Sequence, residues 1–191
     1  MIKIGITGGI GSGKSIICKL IEILGYPVYY SDKRAKELIN KSPTIITFLK
    51  NNYGEDIYIN EKINKNKFAS IIFNSKKELQ KVNSVIHPQV ALDFNNWTKT
   101  KKKSIVFQES ALIFDSKIEN RFDYIIGVIA PLETRINRVI KREHCTKENV
   151  EERINNQLSQ DIILKKSDYI IQNEDNHPIL PQLLNILKIL Q

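Results

Sequence analysis

Gly8-Gly9-Ile10-Gly11-Ser12-Gly13-Lys14-Ser15 matches the pattern G-x-x-x-x-G-K-[ST] of a phosphate-binding P-loop. An apolar run at residues 2–6 precedes the motif and an amphipathic run at residues 16–24 follows it, which is the strand–loop–helix context that a P-loop requires. Glycines let the backbone turn so tightly that successive N–H groups point at one anion. The stretch therefore predicts a protein that holds a polyphosphate.

The end of the motif supplies the charge and the hydroxyl that such a ligand needs. The helix predicted to begin near Lys14 directs the positive end of its dipole at the same anion. Lys14 is placed to reach the β- and γ-phosphates of a nucleotide, and the Ser15 hydroxyl is placed to ligate Mg²⁺. The dinucleotide pattern G-x-G-x-x-G does not fit, because Gly9 and Gly11 lead to Lys14.

The composition favours one domain with a sizeable core, since the chain has 191 residues of which 41% are hydrophobic. No apolar run is long enough to span a bilayer, and we read no signal peptide in the first residues. Cys18 and Cys145 lack the spacing of a metal site and suit a reducing compartment. We expect Cys18 to be a small buried side chain in the first helix, and the protein to be cytoplasmic and without membrane contact.

The net charge of +8 is compatible with nucleic-acid binding or with a solvated lysine-rich surface. A single-strand binder places aromatic side chains among its basic residues, and this chain does not interleave them in that way. We therefore expect no nucleic-acid partner, and we assign part of the positive charge to polyphosphate substrates.

Apolar runs alternate with helical patterns along most of the chain, which indicates an α/β fold with a parallel sheet. The predicted strands lie at residues 2–6, 27–30, 104–108, 124–129 and 169–171. The first predicted helix covers residues 14–24 and stops at Gly25, and the last begins at Pro178.

Residues 42–99 interrupt this alternation with helical signals and no strand of the main sheet. Ser42-Pro43 predicts a helix start with proline in its first turn, and the stretch from Ser75 to Glu78 is a capping box. The helical pattern is predicted to break at His87-Pro88. We expect a helical insertion that seats a second substrate, with a purely structural helical cap as the alternative.

Two carboxylates follow predicted strands of the sheet. Asp32 comes directly after the second strand, where it suits either proton acceptance from a substrate hydroxyl and water-mediated Mg²⁺ binding, or the N-cap of the next helix. Glu109 closes the third strand and is the nearest candidate for an acidic magnesium partner.

Arg135, Arg138 and Arg142 have the spacing of one helix face, with Ile136, Val139 and Ile140 predicted to face the sheet. Three guanidinium groups on one face are suited to neutralise the negative charge of a transferring phosphoryl group. The alternative interpretation is an ordinary solvated helix surface. A short connection ending at Thr146 leads to a second helix that carries Arg153 and Gln157 one turn apart. We expect this helix–loop–helix, about residues 140–159, to be a lid that closes over ATP.

Taken together, these residues resemble the dephospho-CoA kinase family over almost the whole chain. The resemblance rests on segments in a fixed order: residues 5–15, Tyr30-Ser31-Asp32, residues 68–73, Ile86-His87-Pro88, residues 112–115, 138–142, 153–157, and Ser167-Asp168 with Asn173. It implies a P-loop kinase fold, a three-layer α/β/α arrangement with a five-stranded parallel sheet. The core would comprise residues 1–41, 100–139 and 160–191.

The resemblance also implies a reaction, in which ATP phosphorylates the ribose 3′-hydroxyl of dephospho-CoA in the last step of CoA synthesis. Asp32 would be the base, while Lys14 and Arg138 would hold the transferring phosphate. ATP would contact Gly9, Gly11, Ser12, Gly13, Lys14, Ser15, Ile16, Arg142 and Asn173. Thr7, Asp32 and His87 would help seat dephospho-CoA, and the protein would be a monomer or a weak homo-oligomer.

The sequence departs from the family pattern at three positions. Ile16 replaces the usual threonine, and Tyr30 replaces the first aspartate of the strand-two motif. The family's Pro-Leu-Leu-x-Glu segment reads Ala111-Leu112-Ile113-Phe114-Asp115, which keeps an acidic end with a shorter side chain. Glu109 is a nearby carboxylate that compensates for this last change. The other functions considered are a different small-molecule or nucleotide kinase, and a GTP-binding switch, for which residues 64–67 lack the required aspartate.

Overall fold

Strands and helices alternate in the computed structural model, which describes residues 1–174 and 176–190. The strands in this part of the chain are β1 (Ile2–Thr7), β2 (Val28–Tyr30), β3 (Tyr58–Ile59), β4 (Lys62–Ile63), β5 (Ile105–Glu109), β6 (Tyr124–Ile129) and β7 (Tyr169–Gln172). The α-helices are α1 (Lys14–Ile23), α2 (Ser31–Lys41), α3 (Pro43–Tyr53), α4 (Lys65–Asn74), α5 (Lys76–Lys99), α6 (Leu132–Glu143), α7 (Lys147–Asn155), α8 (Gln160–Lys166) and α9 (Ile179–Ile189).

One sheet contains the five predicted strands in the order β2-β5-β1-β6-β7. The central strand β1 runs parallel to both neighbours, with Ile6 opposite Glu109 on one side and Ile126 on the other. Residues 4–7 alternate between the two faces of the sheet and are all buried, as expected for a parallel strand covered on both faces. The predicted five-stranded parallel sheet is confirmed, with no strand end shifted by more than one residue.

The chain forms two compact units, one made of Met1–Tyr29 with Lys102–Gln191 and the other of Tyr30–Lys101. The second unit contains α2 to α5 and a hairpin in which β3 and β4 pair antiparallel. Within it the Arg34 guanidinium donates to both carboxylate oxygens of Asp93, at 2.9 and 2.6 Å. This unit is wider than the predicted insertion of residues 42–99, and the functional boundaries stay a prediction.

The helix starts in the second unit follow the sequence signals, but the predicted break at Pro88 is wrong. The Ser75 hydroxyl caps α5 by accepting from the Glu78 N–H at 3.2 Å, as predicted. Ser42 occupies the N-cap position before Pro43, but its hydroxyl donates to Gln89 at 3.1 Å instead of capping. Helix α5 continues through Pro88 because a buried stripe flanks it on both sides (Val82, Ile86, Val90 and Phe94).

None of the helices in residues 1–174 and 176–190 is both long enough and apolar enough to cross a membrane.

Candidate functional site

The P-loop joins the central strand β1 to helix α1, which confirms the predicted strand–loop–helix arrangement. Gly13 is the N-cap of α1 and has a φ of 98°, in the left-handed region that glycine adopts without strain. A Cβ atom at Gly13 would also overlap the side-chain amide of Asn173. Helix α1 begins at Lys14, so the N-terminal end of the helix lies directly after the loop.

Lys14 and Ser15 present their polar groups at this helix start. The Lys14 ammonium donates to the carbonyl of Gly8 at 2.8 Å and to that of Gly9 at 3.3 Å, so its charge lies against the loop. Ser15 is exposed, which leaves its hydroxyl accessible to a ligand. Helix dipole, loop amides and ammonium together favour an anion at this point.

A polar network ties the end of β7 and helix α6 to the same loop. The Asn173 amide donates to the Ser12 carbonyl at 2.8 Å, and Arg138 Nη2 donates to the carbonyl and side-chain oxygens of Asn173 at 3.2 and 3.3 Å. Within the described residues, Arg138 Nη1 and the Ser12 hydroxyl are buried without a hydrogen-bond partner. Buried donors of this kind are normally satisfied, and a phosphate oxygen is a suitable acceptor for a guanidinium N–H.

The three arginines lie on one helix, α6, at the predicted spacing, but their environments differ. Arg135 is 6% exposed, and its Nε donates to the carbonyl of Ile10 at 2.9 Å. Burial lowers the pKa of this guanidinium. Arg142 is exposed and pairs with Glu143, which also accepts from Arg153 Nη1 at 2.5 Å. Both arginines stabilise the ionised carboxylate and lower the pKa of Glu143, Arg153 having the larger effect.

Helices α6 and α7 pack on the P-loop through a small apolar cluster. Ile136 and Val139 of α6 cluster with Val150 of α7 and with the loop residue Ile10. The sequence predicted instead that Ile136 and Val139, together with Ile140, face the sheet. The Thr146 hydroxyl caps α7 by accepting from the Asn149 N–H at 3.4 Å, as predicted.

Gln157 was expected to lie on the same helix as Arg153, but α7 ends at Asn155. Its side-chain Oε1 instead accepts from the backbone N–H of Ile10 at 2.8 Å. This contact joins the segment after α7 to the P-loop. A spacing rule for helices does not reveal it, because the acceptor lies beyond the helix and the donor is a backbone group far away in the chain.

A recess beside the loop brings Thr7 and Asp115 together. Its lining comprises Thr7, Gly8, Gly9, Ala111, Phe114, Asp115, Gln157, Leu158 and Ile163. Partial burial of the carboxyl raises the pKa of Asp115, which favours its protonated form relative to an ordinary aspartate.

Glu109 ends β5, as predicted, in register with Ile6 of β1. Cys18 is fully buried in α1, in agreement with the expected apolar role. Burial raises the pKa of the Cys18 thiol, and the negative charge of Glu109 raises it further, while Lys14 acts in the opposite direction.

Asp32 and His87 belong to the unit Tyr30–Lys101. Tyr30 is the N-cap of α2 and Asp32 lies in its first turn, so the N-cap interpretation of Asp32 is wrong. The Asp32 side chain is exposed. His87 is half-buried in the interior of α5 and does not lie at a helix junction.

No group of three or more histidine, cysteine, aspartate or glutamate side chains in residues 1–174 and 176–190 is arranged to hold a metal ion. A magnesium ion that is bound mainly by nucleotide phosphates needs few protein ligands. The exposed Ser15 hydroxyl at the start of α1 is compatible with that mode of binding.

Comparison with known proteins gives a consistent result. The dephospho-CoA kinase family model matches residues 2–178. A dephospho-CoA kinase of Bacteroides fragilis is 37% identical over 190 residues, covering 99% of this chain and 93% of the relative. The corresponding protein of Porphyromonas gingivalis is 36% identical over 189 residues, with 98% and 94% covered.

Solved structures support the predicted three-layer α/β/α fold of P-loop kinases. A Thermus thermophilus protein superimposes with a TM-score of 0.85 at 29% identity, covering 99% of this chain and 95% of that chain. A dephospho-CoA kinase from Campylobacter jejuni gives 0.68 at 22% identity, with the same coverage. A shikimate kinase from Bacteroides thetaiotaomicron gives 0.56 at 13% identity, covering 99% and 98%, and shares the fold alone.

The family model spans nearly the whole chain, and the relatives exceed 30% identity over nearly their full length. Together with the P-loop at the centre of the sheet, these matches establish that the chain belongs to the dephospho-CoA kinase family.

Proposed function

We propose that this protein transfers the γ-phosphoryl group of ATP to the ribose 3′-hydroxyl of dephospho-CoA, which yields CoA and ADP. Phosphorylation of dephospho-CoA is the reaction of the family, and it is the final step of CoA biosynthesis. The observation that carries the proposal is a P-loop with Lys14 at the start of α1, in a chain whose residues 2–178 match the family model.

The ATP end of the site consists of the loop residues Gly9 to Ile16, with Arg138, Arg142 and Asn173. Loop amides and Lys14 bind the phosphates, and Arg138 neutralises charge that develops on the transferring group. The unpartnered Nη1 of Arg138 supports this role. Arg142 must exchange its contact with Glu143 for one with ATP. Catalysis then depends on positioning and electrostatics, with no covalent intermediate on the protein.

At the acceptor end, Asp32 receives the proton of the 3′-hydroxyl, while Thr7 and His87 help to seat dephospho-CoA. The support for Asp32 is its residue type, its exposure and its position two residues after β2. Thr7 lines the recess beside the loop. Asp115 lines the same recess, and either Asp115 or Glu109 takes the acidic role of the family's Pro-Leu-Leu-x-Glu segment.

Magnesium is part of the proposal, with the Ser15 hydroxyl as its protein ligand. Bound to the phosphates, the ion neutralises part of their negative charge. We expect Ser15→Ala to raise the magnesium concentration needed for half-maximal activity by about tenfold, since one ligand is lost. Ser15→Thr keeps the hydroxyl and is the matched control. A titration in which both variants behave like the unmodified protein would remove Ser15 from this role.

The acceptor is tested with purified protein, ATP and a panel of alcohols: dephospho-CoA, AMP, shikimate and a nucleoside. We expect dephospho-CoA to give the highest kcat/KM, and we expect its 3′-blocked derivative to give no product. Faster phosphorylation of another acceptor would favour a different small-molecule kinase of the same fold. Sedimentation of the same preparation tests a further proposal, that the protein is a monomer or associates weakly. Fractionation of cells that produce the protein tests the proposed cytoplasmic location.

A further inference from the structure

Ile10, in the middle of the P-loop, is held from two sides by residues far away in the chain. Its N–H donates to Gln157 Oε1 at 2.8 Å, and its carbonyl accepts from Arg135 Nε at 2.9 Å. These atoms belong to two consecutive peptide groups. The Ile10 side chain is only 9% exposed and packs on Ile136, Val139 and Val150. The segment from α6 to Gln157 therefore fixes both the backbone and the side chain of this residue.

Such fixation matters because Ile10 stands between two glycines. Gly9 and Gly11 lack a Cβ atom, and Gly11 has a φ of 76°, so this stretch has more backbone freedom than an ordinary loop. Ordering a free loop around an anion costs conformational entropy. Two side chains that fix adjacent peptide planes reduce that cost before the anion arrives, which is the effect of preorganisation.

Arg135 also explains the glycine at position 9. A Cβ atom there would overlap the Arg135 guanidinium, so the loop lies directly against this side chain. The guanidinium is buried, and no carboxylate within residues 1–174 and 176–190 forms an ion pair with it. Its charge is therefore not neutralised by a neighbouring acid, and the Ile10 carbonyl is its described hydrogen-bond acceptor.

We infer that Gln157 and Arg135 are positioning residues that hold the P-loop in its phosphate-binding shape, in effect a clamp on Ile10. The inference rests on the proposed function in one respect, that the loop binds the phosphates of a nucleotide. Because the same contacts dock the segment after α7, phosphate binding and docking of that segment stabilise each other. In the proposed reaction, neither Gln157 nor Arg135 touches the reacting atoms.

Gln157 is the better residue to test, because it is uncharged and its loss leaves no buried charge behind. Gln157→Met keeps the length of the side chain and removes the acceptor. Gln160→Met is the matched control, since Gln160 is similarly half-buried and its Oε1 accepts from the N–H of Ala130 at 3.4 Å, outside the P-loop. Gln157→Glu keeps an acceptor oxygen at the same place.

Amide hydrogen exchange of Ile10, measured by NMR without nucleotide, reports the clamp directly. We expect Gln157→Met to speed this exchange by about fivefold, the effect of losing one neutral hydrogen bond, and Gln160→Met to leave it unchanged. Gln157→Glu should restore the protection. We also expect the Kd for ADP to rise by about three- to tenfold in Gln157→Met and to change less than twofold in Gln160→Met.

Unchanged Ile10 exchange in Gln157→Met would overturn the inference, as would an equal loss of ADP affinity in both methionine variants. If Gln157→Met does not fold, the unmodified protein decides, because exchange of Ile10 at the rate of an unstructured peptide excludes the clamp. No measurement here needs dephospho-CoA. Failure of the clamp is therefore distinct from failure of the proposed acceptor.

Discussion

We expect the substitution Lys14→Ala to lower kcat/KM for ATP by about 10²- to 10³-fold, the range found when one preorganised electrostatic contact is removed from a transition state. Lys14 contacts phosphate both before and during transfer in the proposed reaction, so the Kd for ATP should rise as well. Steady-state kinetics with varied ATP measure the first effect, and calorimetric titration with ATP in the absence of an acceptor measures the second.

Lys19→Ala is the control for this experiment, because Lys19 is an exposed lysine of the same helix α1. It removes the same charge from the protein and should leave both constants close to their original values. If Lys14→Ala retained more than half of the original kcat/KM, the ammonium beside Gly8 and Gly9 would have no part in catalysis. Equal losses in both variants would point to the overall charge of the protein.

For Asp32→Asn we expect turnover to fall by about 10²- to 10⁴-fold while ADP binding is retained. The asparagine keeps the size of the side chain and loses the proton acceptor, so only the activation of the 3′-hydroxyl is removed. Rapid-quench measurement of a single turnover with saturating ATP and dephospho-CoA reports this step. ADP titration of the same variant checks that the nucleotide end is intact.

Asp56→Asn is the matched control in the same unit, since Asp56 is an exposed aspartate that pairs with Lys67 at 2.6 Å. We expect it to retain normal turnover. Near-normal turnover of Asp32→Asn would exclude this aspartate as the base. A loss of ADP affinity equal to the loss of rate would assign Asp32 to nucleotide binding instead.

Most of the fold was predictable because its elements carry local signals. Continuous apolar runs identified the five strands of the sheet, and Gly25, with a φ of 84°, marked the end of α1 as expected. Pro88 shows the limit of this reasoning. A proline is a local signal against a helix, but the stripe from Val82 to Phe94 is buried on both sides of it, and tertiary packing outweighs one lost hydrogen bond.

The candidate site was predictable where chemistry follows from residue type within a motif, as for Lys14 and Ser15. It was not predictable where a side chain binds a distant backbone group. Helical spacing grouped Arg135 with Arg142, yet one is buried on the Ile10 carbonyl and the other is exposed and paired with Glu143. Spacing describes neighbours along one helix, and it carries no information about which remote carbonyl or N–H the side chain meets.

The order of strands in the sheet has a consequence for synthesis on the ribosome. Strand β1 and the P-loop are made before the strands that pair with β1, which begin at Ile105 and Tyr124. The N–H of Ile10 finds its acceptor 147 positions later, at Gln157. The nascent chain therefore carries an apolar strand without its partners until β5 and β6 have been made, a period in which chaperones protect such segments. The inferred clamp on Ile10 is therefore completed late, after the segment that contains Gln157 has emerged.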